Sequence, residues 1–142
     1  MAYSTGSQVQ VAYIPEVTPG TTPATPQTIA IPHVKFSAEL DRNTISDPSR
    51  EVALSHSQYD ALLEAALMGV WTTNVLKIGT TQKYFTFEEF DSKIPLSRVF
   101  TGVEVDSLKL SVKPDSTVSA TFGIMGRATS HSGVSIDPTP TA

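Results

Sequence analysis

The sequence contains no cysteine, which excludes disulfides, thiolate metal sites and cysteine nucleophiles together. That suits a reducing compartment, or a structure stabilised by other means, and intracellular folding is the simpler expectation. No stretch approaches the roughly 18 apolar residues needed to cross a bilayer as a helix. The opening MAYSTGSQVQ has no basic cluster followed by an apolar run, so a soluble chain without an export signal and without membrane insertion is expected. Cations are scarce: 10 Lys and Arg stand against 14 Asp and Glu, a net charge of −4. The basic residues do not cluster, whereas a tight nucleic-acid binder needs phosphate-neutralising side chains on one face.

Catalytic patterns are missing as well. His33, His56 and His131 are scattered, and no HExxH, GxSxG or GxxxxGK[ST] occurs. FGIMGR reads as a strand end where Gly123 and Gly126 allow a bend. Glu88, Glu89 and Asp91 read as a solvated acidic strand end. No catalytic residue, metal ligand or cofactor is expected, and the chain does not read as an enzyme.

What is present is β-patterning. A chain of 142 residues is long enough for one domain that buries about 68–70% of its unfolded surface. SQVQVAYI alternates, which suggests a short strand or a pairing arm. PEVTPGTTPATPQT, residues 15–28, carries Pro15, Pro19, Pro23 and Pro26 among five threonines, so it reads as an extended arm or loop. HVKFSAELD alternates strictly: Val34, Phe36, Ala38 and Leu40 fall on one face, and Lys35, Ser37, Glu39 and Asp41 on the other. RNTISDPS reads as a turn or loop, and REVALS resumes the pattern with Val52 and Leu54 inward, as a possible neighbour strand.

SQYDALLEAALMGVW is the one helical pattern, expected over about 57–68. Tyr59, Leu62, Leu63, Ala66 and Leu67 share a face, Ser57 with Asp60 resembles a capping box, and Gly69 stands where a C′ glycine belongs. Three turns are marginal alone, so this helix must pack on a sheet. VLKI, a GTT turn and QKYFTFEEF suggest a hairpin, with Tyr84, Phe85, Phe87 and Phe90 serving a core on one side and a subunit contact on the other. In TGVEVDSLKLSVKPDSTVSATFGIMGR the apolar phase slips at Asp106 and Ser107, which predicts a bulge. Leu108, Leu110 and Val112 then return through a proline turn to Val118, Ala120, Phe122 and Ile124, a hairpin over 108–125. Its other face is polar. Residues 128–142 read as a flexible Ser, Thr and Pro tail.

Taken together, SQVQVAYIPEVTPGTTPATP, KFSAELDRNT, YDALLEAALMGVW, YFTFEEFD and TGVEVDSLKLSVKP with FGIMG resemble the tail tube protein, or major tail protein, of long-tailed, non-contractile phages. The resemblance runs from about Ser7 to Arg127 and departs where Pro19 replaces an expected tryptophan. It implies a mainly β fold, an antiparallel β-sandwich or half-barrel with one flanking helix, occupying 1–142 as a single domain. Six copies would form a ring whose inner strands close one continuous barrel, and rings would stack into a tube that conducts DNA at ejection. The partners implied are further copies, other phage tail proteins, and genomic DNA passing without specific binding; the acidic net charge favours sliding. The implied place is the virion tail, assembled in the host bacterial cytoplasm. Alternatives are a tail terminator, an inner tube of a contractile or secretion apparatus, or a monomeric β-sandwich binding ligand through Trp71 and the aromatics of 84–90.

On this reading the candidate lumen-facing residues are Lys35, Ser37, Glu39, Asp41, Glu51, Lys109, Ser111, Lys113, Thr117, Ser119 and Thr121. The helix-on-sheet core comprises Tyr59, Leu62, Leu63, Ala66, Leu67, Leu108, Leu110, Val112 and Phe122. The candidate subunit-contact arm comprises Tyr13, Ile14, Pro15, Pro19 and Pro23.

Overall fold

The computed structural model describes residues 9–31, 35–36, 39–41, 44–46, 49–53, 58–115 and 118–141, with side chains over 9–31, 58–115 and 118–141. Its strands are, in order, β1 (Val9–Glu16), β2 (Ile29–Ala30), β3 (Lys35–Phe36), β4 (Glu39–Asp41), β5 (Thr44–Ser46) and β6 (Ser49–Ala53). After the helix α1 (Asp60–Leu67) come β7 (Trp71–Thr72), β8 (Val75–Leu76), β9 (Tyr84–Asp91), β10 (Leu96–Ser111), β11 (Ser119–Met125) and β12 (Ala128–Ser132). The fold is mainly β with one short helix, and every pairing between these strands is antiparallel.

Among the described residues one large sheet runs in the order β2-β1-β9-β10-β11-β6-β3, with β12 also on β10. The 16-residue β10 serves two half-sheets. Its first part pairs with β9 and β12, its second with β11. Two irregularities divide it. The ladder shifts between Val105 and Ser107, where the phase slip foretold a bulge. It also shifts between Phe100 and Val103, where Gly102 adopts φ 62°, a backbone that side chains resist.

Both half-sheets turn apolar residues inward. Val11 and Tyr13 of β1, Phe85 and Phe87 of β9, Phe100 and Val103 of β10 and Ala120, Phe122 and Ile124 of β11 form one cluster with Tyr59, Leu62 and Ala65. Tyr13 packs against Phe85 and Phe87 at 5.8 and 5.7 Å between ring centroids. Its buried hydroxyl donates to the Gln58 carbonyl at 2.5 Å, the partner a phenol needs when its ring is buried. Burial first, then the negative charge of Asp60 and the neighbouring Tyr59, pushes the Tyr13 hydroxyl far above the usual phenol range.

The helix begins later than its pattern suggested. Tyr59 precedes it without a side-chain cap; Ser57 of the expected capping box lies outside the described residues. The end also differs: Met68, not Gly69, takes the left-handed conformation, at φ 52° and ψ 29°. Met68 N–H donates to Ala65 O and Gly69 N–H to Glu64 O, at 3.1 and 2.9 Å, the two bonds of a Schellman end.

Three further expectations are corrected. The stretch read as a loop over 42–49 contains β5, which pairs with β4 in a ribbon of its own. The expected hairpin of 75–78 with 82–90 does not form: β8 pairs with β7 around Thr73 and Asn74, both at positive φ, a two-residue turn whose twist suits a hairpin. β9 is instead central, between β1 and β10. The tail over 128–142 is not loose through 141. Ala128–Ser132 is a strand on β10, and Asp137 is buried.

Candidate functional site

The second half-sheet, β10-β11-β6-β3, has a polar and an apolar face because its residues alternate. Register places Lys109 opposite Thr121, Thr121 opposite Glu51, and Glu51 opposite Lys35. Directly opposed residues share a face, so one row reads Lys, Thr, Glu, Lys across four strands. Beside it, Ser111 stands opposite Ser119, and Ser119 opposite Ala53. Lys109 and Lys113 are exposed; Ser111, Ser119 and Thr121 are half-buried. Glu39 and Asp41 do not join this row, because β4 pairs with β5 outside the large sheet. Ser37 and Thr117 lie outside the described residues.

The next rows hold the opposite face, which is apolar on β10 and β11. Leu108, Phe122, Arg50 and Phe36 align, as do Leu110, Ala120 and Val52. α1 covers the base of this face, where Phe122 and Leu62 are buried and Leu63 and Leu108 pack against the core; Tyr59 stacks on Phe122 at 6.3 Å. Ala65 is the buried alanine of the helix, while Ala66 and Leu67 are half-buried. Leu110 and Val112 are not core: they are 54% and 75% exposed, since the hairpin outreaches an eight-residue helix.

Two edges of this half-sheet have no partner strand among the described residues. Among the described residues nothing pairs with 104–111 of β10 on the side away from β11, nor with β3 on the side away from β6. With four antiparallel strands the two outer ones run in opposite directions. A second copy set edge to edge would therefore continue the antiparallel ladder.

The first half-sheet is covered on its back by the arm and the tail. Glu16 ends β1 and collects three donors: Thr86 Oγ1 at 2.7 Å, Gly102 N at 3.0 Å and Gly20 N at 2.6 Å. It thereby ties the arm's first turn to the bend in β10. Arg127 packs along Gly102, sits 4.9 Å from the Tyr84 ring centroid and pairs with Glu104 at 3.3 Å. Glu88, 2% exposed, accepts from Ser97 Oγ, Ile136 N and Ser135 Oγ at 2.5, 2.9 and 2.9 Å. So Glu88 is no solvated strand end, and Glu89 pairs with Arg98 directly across the strand at 2.5 Å.

These carboxylates were invisible in the sequence, because a buried acid satisfied by hydroxyls and amides leaves no apolar pattern; serines and threonines in the tail were the one available signal. Of the arm residues expected at a subunit contact, Tyr13 is wholly buried in its own core, whereas Pro15 and Pro19 are exposed and Ile14 and Pro23 half-buried. Among the described residues no helix is long and apolar enough to cross a membrane, and no group of three or more His, Cys, Asp or Glu could hold a metal ion.

The segment 68–81 projects as a closed loop. Gly79 N bonds Leu67 O and Thr81 N bonds Met68 O, at 3.0 and 2.8 Å. Glu64 accepts from Trp71 N at 2.8 Å and pairs with Lys83. Burial pulls the Glu64 carboxyl up, yet Lys83 and the Trp71 amide outweigh it and hold it below the usual range. Val70, Trp71, Val75 and Ile78 are exposed on this loop, and Val70, Val75 and Ile78 line a groove of 540 Å³.

A family model described as phage tail tube protein matches residues 6–142. No curated protein matches. Among solved structures, the anti-feeding prophage cap, a tube-terminating cap, is similar in fold at 9% identity, with 93% of this chain and 92% of that one covered and a TM-score of 0.50. Hcp2 from Salmonella typhimurium aligns at 9% identity over 87% of this chain and 92% of that one, with a TM-score of 0.47. A type VI secretion system effector from Yersinia pestis aligns at 11% identity over 86% and 96%, with a TM-score of 0.48.

Proposed function

Since the chain belongs to the phage tail tube protein family, we propose that it is a virion structural protein acting through assembly rather than catalysis, its whole length serving as one tube domain. Copies join edge to edge into hexameric rings, and the rings stack into the tail tube through which DNA leaves at ejection.

The observation that carries this reading is the pair of open edges on β10-β11-β6-β3. An exposed sheet edge is a liability in a lone subunit. Head-to-tail joining of β3 to β10 of the next copy removes it and closes a ring. The polar row of Lys109, Thr121, Glu51 and Lys35 then lines the lumen together with Ser111 and Ser119, and α1 lies outside. Within each copy Thr121 and Glu51 separate the two lysines of that row, so it offers the phosphate backbone no continuous cationic track, and DNA slides past. Assembly takes place in the host cytoplasm with other tail proteins as end partners.

Negative-stain electron microscopy of the purified protein across a concentration series tests the proposal. Rings or tubes with a central hole are expected; a strictly monomeric species at every concentration overturns it.

A further inference from the structure

The two segments with least to bury, the Thr/Pro arm and the Ser/Thr/Pro tail, hold each other. Thr28 is fully buried and Asp137 is 9% exposed. One carboxylate oxygen of Asp137 accepts from Thr28 N at 2.8 Å and from Thr28 Oγ1 at 3.0 Å, and the other from Thr139 N at 3.0 Å. Farther along, Thr141 N donates to Thr28 O at 2.9 Å, and Thr141 O accepts from Ala30 N at 2.8 Å. Ile29 and Thr141 thus form a parallel bridge. Since β2 is the outermost strand of its half-sheet, Thr141 and Asp137, at the end of the strap 133–141, cover an edge that would otherwise present unpaired amides and carbonyls.

The strap is held by polar bonds. Besides Asp137, its anchor is Glu88, which binds Ser135 and Ile136. Val134 is 73% exposed and Ile136 only half-buried. A segment fixed by carboxylate hydrogen bonds and little apolar area can open without opening the core. Gly133 follows directly on β12, and a Cβ there would meet nothing closer than 3.8 Å, which leaves room for a hinge.

We propose that the outer edge of β2 is a docking surface for a second copy of this chain, and that its occupant there is the partner's segment 133–141. In the lone subunit each strap closes on its own edge; in the assembly neighbouring copies exchange straps. Every contact made within the chain is then made between chains, the low-cost route of segment swapping. This rests on the reading above in taking copies of the chain as neighbours. It concerns a different edge from the one proposed to close the barrel.

The test uses the absence of native cysteine. The double variant Ile29→Cys with Thr141→Cys places two thiols at bridged positions, within disulfide reach. Oxidised as a dilute subunit, it should give an intramolecular bond and raise the concentration needed for assembly by about tenfold or more, reversed by reductant. Oxidised after assembly, it should give a ladder of linked oligomers on non-reducing gels. Circular dichroism and assembly of the reduced double variant establish that the two changes themselves are tolerated before oxidation. Tubes that yield only internally linked monomers overturn the exchange while leaving the tube reading intact. A wild-type chain that never assembles overturns both.

Discussion

The backbone carbonyl oxygen of Lys77 lies 2.0 Å from where a Cβ on Gly69 would stand, so any side chain there would force the loop after α1 to shift. The glycine was expected at this helix end for its left-handed freedom, but the left-handed residue is Met68. Gly69 serves close approach instead. Gly69→Ala should therefore destabilise the subunit by about 1–3 kcal/mol, as overpacking does. Met68→Gly should gain up to about 1 kcal/mol by relieving the left-handed side chain. Urea unfolding below the assembly concentration measures both; equal effects of the two changes would refute the assignment.

Leu62 is 1% exposed and carries α1 on the sheet. Leu62→Ala should cost about 2–5 kcal/mol, and Leu62→Asp should abolish folding. Leu63 packs on the core from a partly buried position, so Leu63→Asp should also be severe, and Leu67→Asp less so. Circular dichroism melts rank the three.

Val112 tells the opposite story. At 75% exposure, Val112→Lys should change subunit stability by no more than about 0.5 kcal/mol, while tubes fail to form because the apolar side of the hairpin is uncovered in a lone copy. Intact tubes in that variant would remove the hairpin tip from the interface.

Lys109 is exposed on the polar row. Lys109→Glu should leave folding unchanged within about 0.5 kcal/mol and reduce the entry of short duplex DNA into assembled tubes, most at low salt. Dye-labelled duplex trapped in tubes provides the readout. No change in uptake at low salt would place Lys109 outside the lumen.

Asp137 makes stability depend on acid. The Thr28 backbone N–H above all, with the Thr139 N–H and the Thr28 hydroxyl, holds its carboxyl below the usual range against the pull of burial. A group depressed in the folded state contributes stability that is complete above its unfolded value, near 3.9, and lost as pH falls through the folded one. Stability should be flat from neutrality to about pH 5 with respect to this group, and fall below about pH 4 more steeply in the wild type than in Asp137→Asn. Parallel acid slopes for the two proteins would contradict the clasp.

Sequence patterning read what apolar periodicity can express. The slip at Asp106, the return of Leu108 by Phe122, the helix over Leu62 and the neighbouring of β3 and β6 all leave a two- or 3.6-residue rhythm. It could not read partners decided by distance. Phe85 and Phe87 look like one arm of a local hairpin, yet they sit between β1 and β10. Nor could it read a carboxylate whose burial is compensated by Ser97, Ser135 or Thr28, because charge and hydroxyl are the marks of surface in any hydropathy profile. Leu110 and Val112 failed for a related reason: alternation tells which side a residue is on, while the length of the covering helix decides whether that side is dry.

Despite its two register shifts, β10 is one strand from Leu96 to Ser111, gripped by β9 and β12 at one end and by β11 at the other. A pull along this strand is therefore met by its ladder bonds loaded in shear, many at once, rather than peeled one after another. The segment assigned to the channel and the segment that supports the back layer are one backbone. In an assembled tube, strain imposed on either layer would pass along a covalent beam, through the bend at Gly102, instead of across a packed seam that could slip.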